Sequence, residues 1–181
     1  PAVTVTAPDI VSTGDEPDAA TNLLINPFGT ILNGNGEPGA HVEVRNAAGT
    51  LVGSGTVQGN GAFFISLSPA QADGGLLSVV LSNFAGDSPA ANINAPKAPD
   101  QATDLAVSAD GTTLTGEGDP GSVVSVRNAA NVQVGTGTVN PDGTFTIVLT
   151  PPQTDGGTLS VVLSNATGDS PTGTVVAPIV G

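Results

Sequence analysis

The chain has 181 residues, of which 16 are acidic and three are basic, and its formal net charge is −13. This charge has the wrong sign for binding nucleic acid or an anionic membrane, and it suits divalent cations. No apolar run approaches the length that spans a bilayer. Cys, Trp and Tyr are absent. Disulfides and zinc–thiolate sites are therefore excluded, and the predicted core is aliphatic with a few Phe.

Residues 1–16 are predicted to contain the last strand of a preceding repeat, followed by a junction. The run PAVTVTAP at 1–8 aligns with PAANINAP at 89–96 and with PTGTVVAP at 171–178. We therefore interpret the chain as a fragment of a longer tandem array. Eight residues (DIVSTGDE) form this first junction, whereas only Lys97 and Ala98 form the second.

The remainder of the chain consists of two repeats, at 17–98 and 99–181. At an offset of 82 residues, 45 of the 82 aligned pairs are identical and no gap is needed. Self-similarity at a fixed period indicates that the repeat is the structural unit. We expect each repeat to fold as one small domain.

Short alternating runs bounded by Gly, Pro, Asn or Asp predict strands, and no segment has a sustained helical period. In the second repeat these runs lie at 104–108, 112–116, 122–128, 132–139, 144–150, 157–164 and 171–177. Seven strands of this spacing are typical of a β-sandwich. The sequence therefore predicts an all-β protein of two tandem seven-stranded immunoglobulin-like Greek-key β-sandwiches.

Strand alternation assigns side chains to the core or the surface. Val124 and Val126 are predicted to point inward, together with the rows 145, 147, 149 and 159, 161, 163 and their counterparts in the first repeat. His41 and Phe64 are predicted to point outward. Arg45 and Arg127 are predicted to make cross-strand or loop contacts on the surface.

Most acidic residues fall in loops at one pole of each predicted sandwich, the pole where the chain enters. In an antiparallel sandwich, the loops after the second, fourth and sixth strands share this pole. In the second repeat the acids are Asp100, Asp104, Glu117, Asp119, Asp142 and Asp169. In the first repeat they are Asp18, Glu37 and Asp87, with Asp9, Asp15 and Glu16 in the junction and Asp73 at the opposite pole.

Crowded carboxylates repel one another unless a cation lies among them. Ca²⁺ accepts six to eight oxygen ligands from irregular loops, whereas Mg²⁺ requires near-octahedral geometry. The sequence therefore predicts Ca²⁺ at one or more junctions, where it would stiffen the joint. The alternative is that these acids are solvated turn residues, because Asp is common in turns.

The ordered motifs resemble the bacterial Ig-like repeats of giant, type I-secreted, biofilm-associated surface adhesins. These motifs are Gly-x-Gly-x-Pro-Gly, then Asn/Asp-Gly-x-Phe, Asp-Gly-Gly-x-Leu-Ser-Val, Ser-Asn-x-x-Gly-Asp-Ser-Pro and a closing Ala-Pro. The resemblance implies tandem sandwiches on the bacterial cell surface that extend an adhesive region outward. It also implies Ca²⁺ at the junction acids Asp100, Asp119, Asp169, Asp18, Glu37 and Asp87.

The leading hypothesis is a structural extender whose partners are neighbouring repeats of the same chain, with host or biofilm-matrix ligands bound through other regions. Two alternatives are open: repeats that directly bind a glycan, a host protein or like repeats, and an accessory sandwich flanking a secreted enzyme. Catalysis by this chain is not expected, because His41 has no counterpart in the second repeat and Glu43 is replaced there by Ser125.

Overall fold

The computed structural model of the protein describes residues 14–181. The predicted strand at 1–8 and the predicted ligand Asp9 lie outside these residues. The chain divides into two compact units. The described part of the first comprises 14–71 and Gly75–Ala95, and the second comprises Ala72–Gly74 and Pro96–Gly181.

The first unit contains two antiparallel sheets. Its strands are β1 (Thr21–Ile25), β2 (Ile31–Asn35), β3 (His41–Arg45), β4 (Leu51–Thr56), β5 (Ala62–Ser66), β6 (Leu76–Asn83), β7 (Gly86–Asp87) and β8 (Ala91–Asn94). One sheet has the order β1-β2-β5. The other has the order β4-β3-β6, and both β7 and β8 pair with β6.

The second unit repeats this arrangement. Its strands are β9 (Thr103–Val107), β10 (Thr113–Glu117), β11 (Val123–Arg127), β12 (Gln133–Thr138), β13 (Thr144–Val148), β14 (Thr158–Ser164) and β15 (Gly173–Val176). The sheets have the orders β13-β10-β9 and β12-β11-β14-β15. The predicted all-β, immunoglobulin-like sandwich is confirmed. Within 14–181, no helix has the length and apolar character needed to cross a membrane.

The predicted inward rows form the core of each unit. Phe63 and Phe145 are 0% and 1% exposed, and the aliphatic residues of the predicted rows pack around them. Because side chains alternate along a strand, the residues between them face solvent. His41, Arg45, Phe64 and Arg127 are exposed, as predicted.

The Gly-x-Gly-x-Pro-Gly motif serves packing and a turn. A Cβ on Gly34 would lie 2.6 Å from Cζ of Phe63, and one on Gly36 would lie 2.4 Å from Cδ1 of Leu81. The first two glycines therefore leave room for core side chains. Gly39 has a φ of 86°, which favours glycine in a turn. The second unit has the same contacts at Gly116 and Gly118, and Gly121 has a φ of 82°.

Candidate functional site

The entry of the second unit comprises Lys97, Asp100, Asp119 and Asn165. The Nζ atom of Lys97 lies 2.7 Å from Oδ1 of Asp100. The backbone N–H of Asp100 donates to Oδ2 of Asp119 at 2.9 Å. The Nδ2 atom of Asn165 donates to the carbonyl of Lys97 at 2.8 Å. Side chains from two loops therefore hold the residues that lead into this unit.

Lys97 supplies the positive charge at this entry. It is the only lysine of the chain. Its hydrogen bond to Asp100 raises the pKa of Lys97, and the negative charges of Asp100 and Asp119 add to this effect. The side chains of Lys97 and Asp100 are 52% and 70% exposed. An exposed ion pair adds little to stability by itself, but this one reduces the repulsion among the carboxylates.

The entry of the first unit shares the asparagine contact of the second and is more acidic. The Nδ2 atom of Asn83 donates to the carbonyl of Asp15 at 3.0 Å, as Asn165 does to Lys97. The position of the lysine is therefore occupied by an aspartate. Asp18 and Glu37 line one cleft of about 330 Å³ in this unit. The carboxylate of Glu16 lies against Gly86.

The Asn of the Ser-Asn-x-x-Gly-Asp-Ser-Pro motif links a turn to the entering chain. The Oδ1 atom of Asn165 accepts from the backbone N–H groups of Thr167 and Gly168 at 2.8 and 3.1 Å. Its Nδ2 is thereby directed to the carbonyl of Lys97. Asn83 caps the corresponding turn of the first unit in the same way. Sequence reasoning recognised the motif but did not assign this role.

The serine of the same motif satisfies buried backbone groups. Ser88 and Ser170 are each 7% exposed. The Oγ atom of Ser88 accepts from the N–H of Leu81 at 2.9 Å and donates to the carbonyl of Pro89 at 2.9 Å. Ser170 makes the equivalent bonds in the second unit. Gly-Asp-Ser-Pro therefore holds the chain against the long strand β6 or β14.

Within residues 14–181, the other predicted metal ligands lie together in twos at most, or they are bound to their own turns. Asp104 and Glu117 line one shallow cleft of about 290 Å³. The Oδ1 atom of Asp142 accepts from the N–H and hydroxyl of Thr144 at 2.9 and 2.7 Å, which lowers the pKa of Asp142. Asp87 and Asp169 pair through the backbone with Ser82 and Ser164, and Asp73 pairs with Lys97.

The described acidic side chains are not gathered into one ligand group at either entry. Among residues 14–181, no three or more His, Asp or Glu side chains are grouped so that they could hold a metal. Ca²⁺ needs six to eight oxygen ligands. At the second entry, Asp100 and Asp119 already bind Lys97 and a backbone N–H. Calcium at the junctions therefore stays a prediction from the sequence.

The outward-facing arginines make the local contacts that were predicted. The Nη1 atoms of Arg45 and Arg127 donate to the carbonyls of Gly49 and Asn131, at 3.2 and 3.1 Å. Arg45 also pairs with Glu43 at 2.9 Å. Both arginines thus stabilise the turn after their own strand.

The sequence of each unit matches the family model described as the bacterial Ig domain, at residues 16–97 and 98–178. The chain belongs to the bacterial Ig domain family. The predicted resemblance to bacterial Ig-like tandem repeats is therefore confirmed. No curated protein matches these two bacterial Ig domains.

The bacterial Ig pair is similar to solved structures at low sequence identity. The BSP domain of a biofilm associated protein is 21% identical, with a TM-score of 0.39 over 90% of this chain and 30% of that one. A segment of two fibronectin type III domains from chicken tenascin is 14% identical, with a TM-score of 0.36 over 91% of this chain and 99% of that one. The bacterial Ig pair thus spans about a third of the first of these structures. Likeness at this level concerns the fold alone.

Proposed function

We propose that the two bacterial Ig domains are structural extender repeats of a bacterial cell-surface adhesin, and that they act outside the cell. The observation that carries this proposal is the repeated anchoring of the entering chain. In each unit the same asparagine, Asn83 or Asn165, binds the carbonyl of the residue that precedes the domain. A domain that holds its own linker transmits tension along the chain and needs no catalytic group.

The chain between the two anchored positions is short. The N–H of Ala95 donates to the carbonyl of Gly75 at 2.8 Å within the first unit. The carbonyl of Lys97 accepts from Asn165 within the second unit. Only Pro96 lies between them, and its ring fixes its own φ. The short distance in sequence between these two positions supports the extender role.

The charge of the chain supports the same role. A net charge of −13 on 181 residues favours solubility and mutual repulsion between neighbouring domains. Repeats that repel one another are less prone to collapse onto each other. The family match supports a structural module, since two copies of one domain follow each other without an interposed segment of another kind.

Calcium is a separate proposal that we confine to the first entry. There Asp15, Glu16, Asp18 and Glu37 carry negative charge, and the position of Lys97 is acidic. At the second entry, Lys97 already supplies a cation. The extender role does not depend on this proposal, because the Asn anchors involve no metal.

Small-angle scattering on the full chain tests the extender role. A compact globule of this length would have a radius of gyration of about 16 Å. We expect a value above about 20 Å, which an end-to-end pair of domains requires. The N165A variant should sample more orientations of the two domains and broaden the distance distribution. A wild-type value near 16 Å would contradict the proposal.

The N83A variant is the matched control for this experiment. Asn83 makes the same three side-chain hydrogen bonds as Asn165, but it anchors the residue before the first unit. Its loss should therefore leave the distance distribution between the two domains unchanged. Equal broadening by N83A and N165A would show that the amide stabilises the fold and does not control the linker.

A further inference from the structure

The first unit has an apolar outer face on the sheet β1-β2-β5. This face comprises Leu24, Ile31, Asn33 and Phe64, with Phe28 in the turn between β1 and β2. Leu24, Phe28 and Phe64 are 64%, 64% and 62% exposed, and Ile31 is 44% exposed. Large side chains with this exposure are outside the core, so packing within the unit does not explain them.

The strand register makes the outer face contiguous. Leu24 pairs with Asn33, and Asn33 pairs with Phe64, so the three form one row across the sheet. Ile31 is two residues from Asn33 on the same face of β2, diagonal to Phe64. Diagonal neighbours on a sheet are within reach of aromatic and long side chains. Apolar groups therefore surround Asn33 on three sides.

The outer face carries no formal charge, although the chain as a whole is strongly acidic. Residues 21–35 and 62–66 contain no Asp, Glu, Lys or Arg. The matching strands and turn of the second unit, at 103–117, contain Asp104, Asp110 and Glu117. Two outer faces of the first unit can thus meet without the repulsion that other surfaces of this chain would produce.

The second unit shows that the fold does not require this apolar face. At the positions of Leu24, Ile31, Asn33 and Phe64 it has Ala106, Thr113, Thr115 and Thr146, and at that of Phe28 it has Asp110. The register of these strands is the same in both units. On this sheet the two units therefore differ in their exposed side chains and not in their strand pairing.

We propose that the outer face of the first unit binds the same face of a second copy of this chain. Identical patches meet across a two-fold axis in such a contact. Asn33 is central to the argument, because its carboxamide both donates and accepts and forms no side-chain hydrogen bond with residues 14–181. Two copies of Asn33 complement each other, with apolar side chains packed around the pair.

The area of the face indicates a weak contact. The three exposed apolar side chains of the strands, Leu24, Ile31 and Phe64, present on the order of 300 Å², since one fully buried aromatic side chain accounts for about 150–250 Å². A stable interface buries about 800 Å² from each partner. One contact should therefore dissociate readily, with a Kd of about 1 mM. Contacts between chains held side by side would add through their high effective concentration.

The association does not depend on the extender role, because it needs only the face itself. It is tested on the full chain by sedimentation equilibrium and by amide chemical shifts between about 20 μM and 2 mM, a range that brackets the expected Kd. We expect wild-type shifts to move with concentration in β1, β2 and β5. Raising the salt concentration should strengthen the association, because it screens repulsion between acidic chains.

Substitution of Asn33 tests the two-fold geometry. N33D and N33K each place like charges opposite each other at the contact, so each variant alone should remain monomeric up to 2 mM, about twice the expected Kd. An equimolar mixture should associate at least as tightly as wild type, because opposite charges then meet. If the mixture is also monomeric, or if either variant alone associates like wild type, the proposed contact is wrong.

Sister-repeat residues provide variants that should preserve the fold. L24A/I31T/F64T carries the residues of the second unit, and we expect it to abolish the association with little change in melting temperature. V148S is the control: it replaces an exposed valine of β13 by the residue of the first unit, Ser66, and should have no effect. Association that survives the triple variant, or that EDTA abolishes, would overturn the proposal.

Discussion

The two units have the same interior and different surfaces. Of 82 aligned pairs, 45 are identical, and these include the buried Phe, the packing glycines and the Ser and Asn of the Gly-Asp-Ser-Pro region. The substitutions fall almost entirely at positions that are not buried, and they include the outer face and the Asp15/Lys97 pair at the entries. The shared residues therefore define what the fold needs, and the differing residues show what each unit presents to its surroundings.

The largest expected effect tests the shared interior. Phe63 and Phe145 are the largest side chains of the two cores and are essentially inaccessible. Phe63→Ala or Phe145→Ala should each lower the free energy of unfolding of its own unit by about 3–5 kcal/mol, because a large cavity forms. Amide hydrogen exchange of the full chain measures both units at once. If the losses of unfolding free energy in the two variants differ by more than about 1 kcal/mol, the two cores are not equivalent.

The next effect tests the buried serines. S88A and S170A each remove the Oγ that binds the N–H of Leu81 or Leu163 and the carbonyl of the following proline. We expect a loss of about 1–3 kcal/mol in the affected unit, since buried backbone groups lose a partner. Thermal unfolding of the two variants and wild type gives the comparison. A neutral S88A beside a destabilising S170A would indicate that the first unit does not depend on this bond.

The fold could be predicted from the sequence because its signals are local. Alternating apolar residues and the dipeptides Asn60-Gly61 and Asp142-Gly143 mark strands and hairpins. The second strand of the second repeat was predicted at 112–116 and is observed at Thr113–Glu117. Boundaries differ by a residue or two because the last strand residues lack pairing partners, which alternation does not reveal.

The site could be predicted only in part. Some of its contacts join residues that are far apart in sequence, and others join residues within a single turn. Asn165 binds the carbonyl of Lys97 across 68 residues, and no periodicity signals this bond. Lys97 was recognised only as a junction residue, although it supplies the cation beside Asp100. Asp142 was assigned to a metal, but the hydroxyl of Thr144, two residues away, already binds it. The Ser or Thr residues that lie close in sequence to each acidic turn residue were the signal that could have revealed such contacts.

A charge exchange at the entries sharpens the comparison between Lys97 and Asp15. K97D gives the second entry the charge of the first, and D15K does the reverse. We expect K97D to lower the melting temperature of the second unit at low salt and D15K to raise that of the first. Both shifts should vanish in about 1 M salt, where the Debye length is about 3 Å. Shifts that persist at high salt would contradict a simple charge effect.

Calcium titration of the same variants tests which entry attracts a divalent ion. In the wild type we expect millimolar Ca²⁺ to protect the amides around Asp18 and Glu37 more than those around Asp100 and Asp119, because Lys97 already offsets part of the negative charge of the second entry. K97D should increase the response of the second unit. Equal responses of both wild-type units would show that Lys97 does not control cation binding.

The smallest effect separates the units at acidic pH. Hydrogen bonds from Ser108 and Thr112 lower the pKa of Asp110 from the ordinary 3.8 to about 2, and Thr144 lowers that of Asp142. A carboxyl group whose pKa is lower in the folded than in the unfolded state stabilises the fold at pH values above its unfolded-state pKa. This contribution is lost as the pH falls through the folded-state pKa. The second unit should therefore lose protection between about pH 4 and pH 2 through these two groups.

The first unit lacks both of these groups, because Phe28 and Asn60 stand at their positions. Asn60 still accepts the turn hydrogen bond, from the N–H of Ala62 at 3.0 Å, so D142N should keep the turn intact. D110N/D142N should bring the acid profile of the second unit, measured by hydrogen exchange, close to that of the first. An unchanged profile would assign the acid sensitivity to the entry carboxylates. The turns at Asp110 and Asp142 would then make no contribution to the acid sensitivity of the second unit.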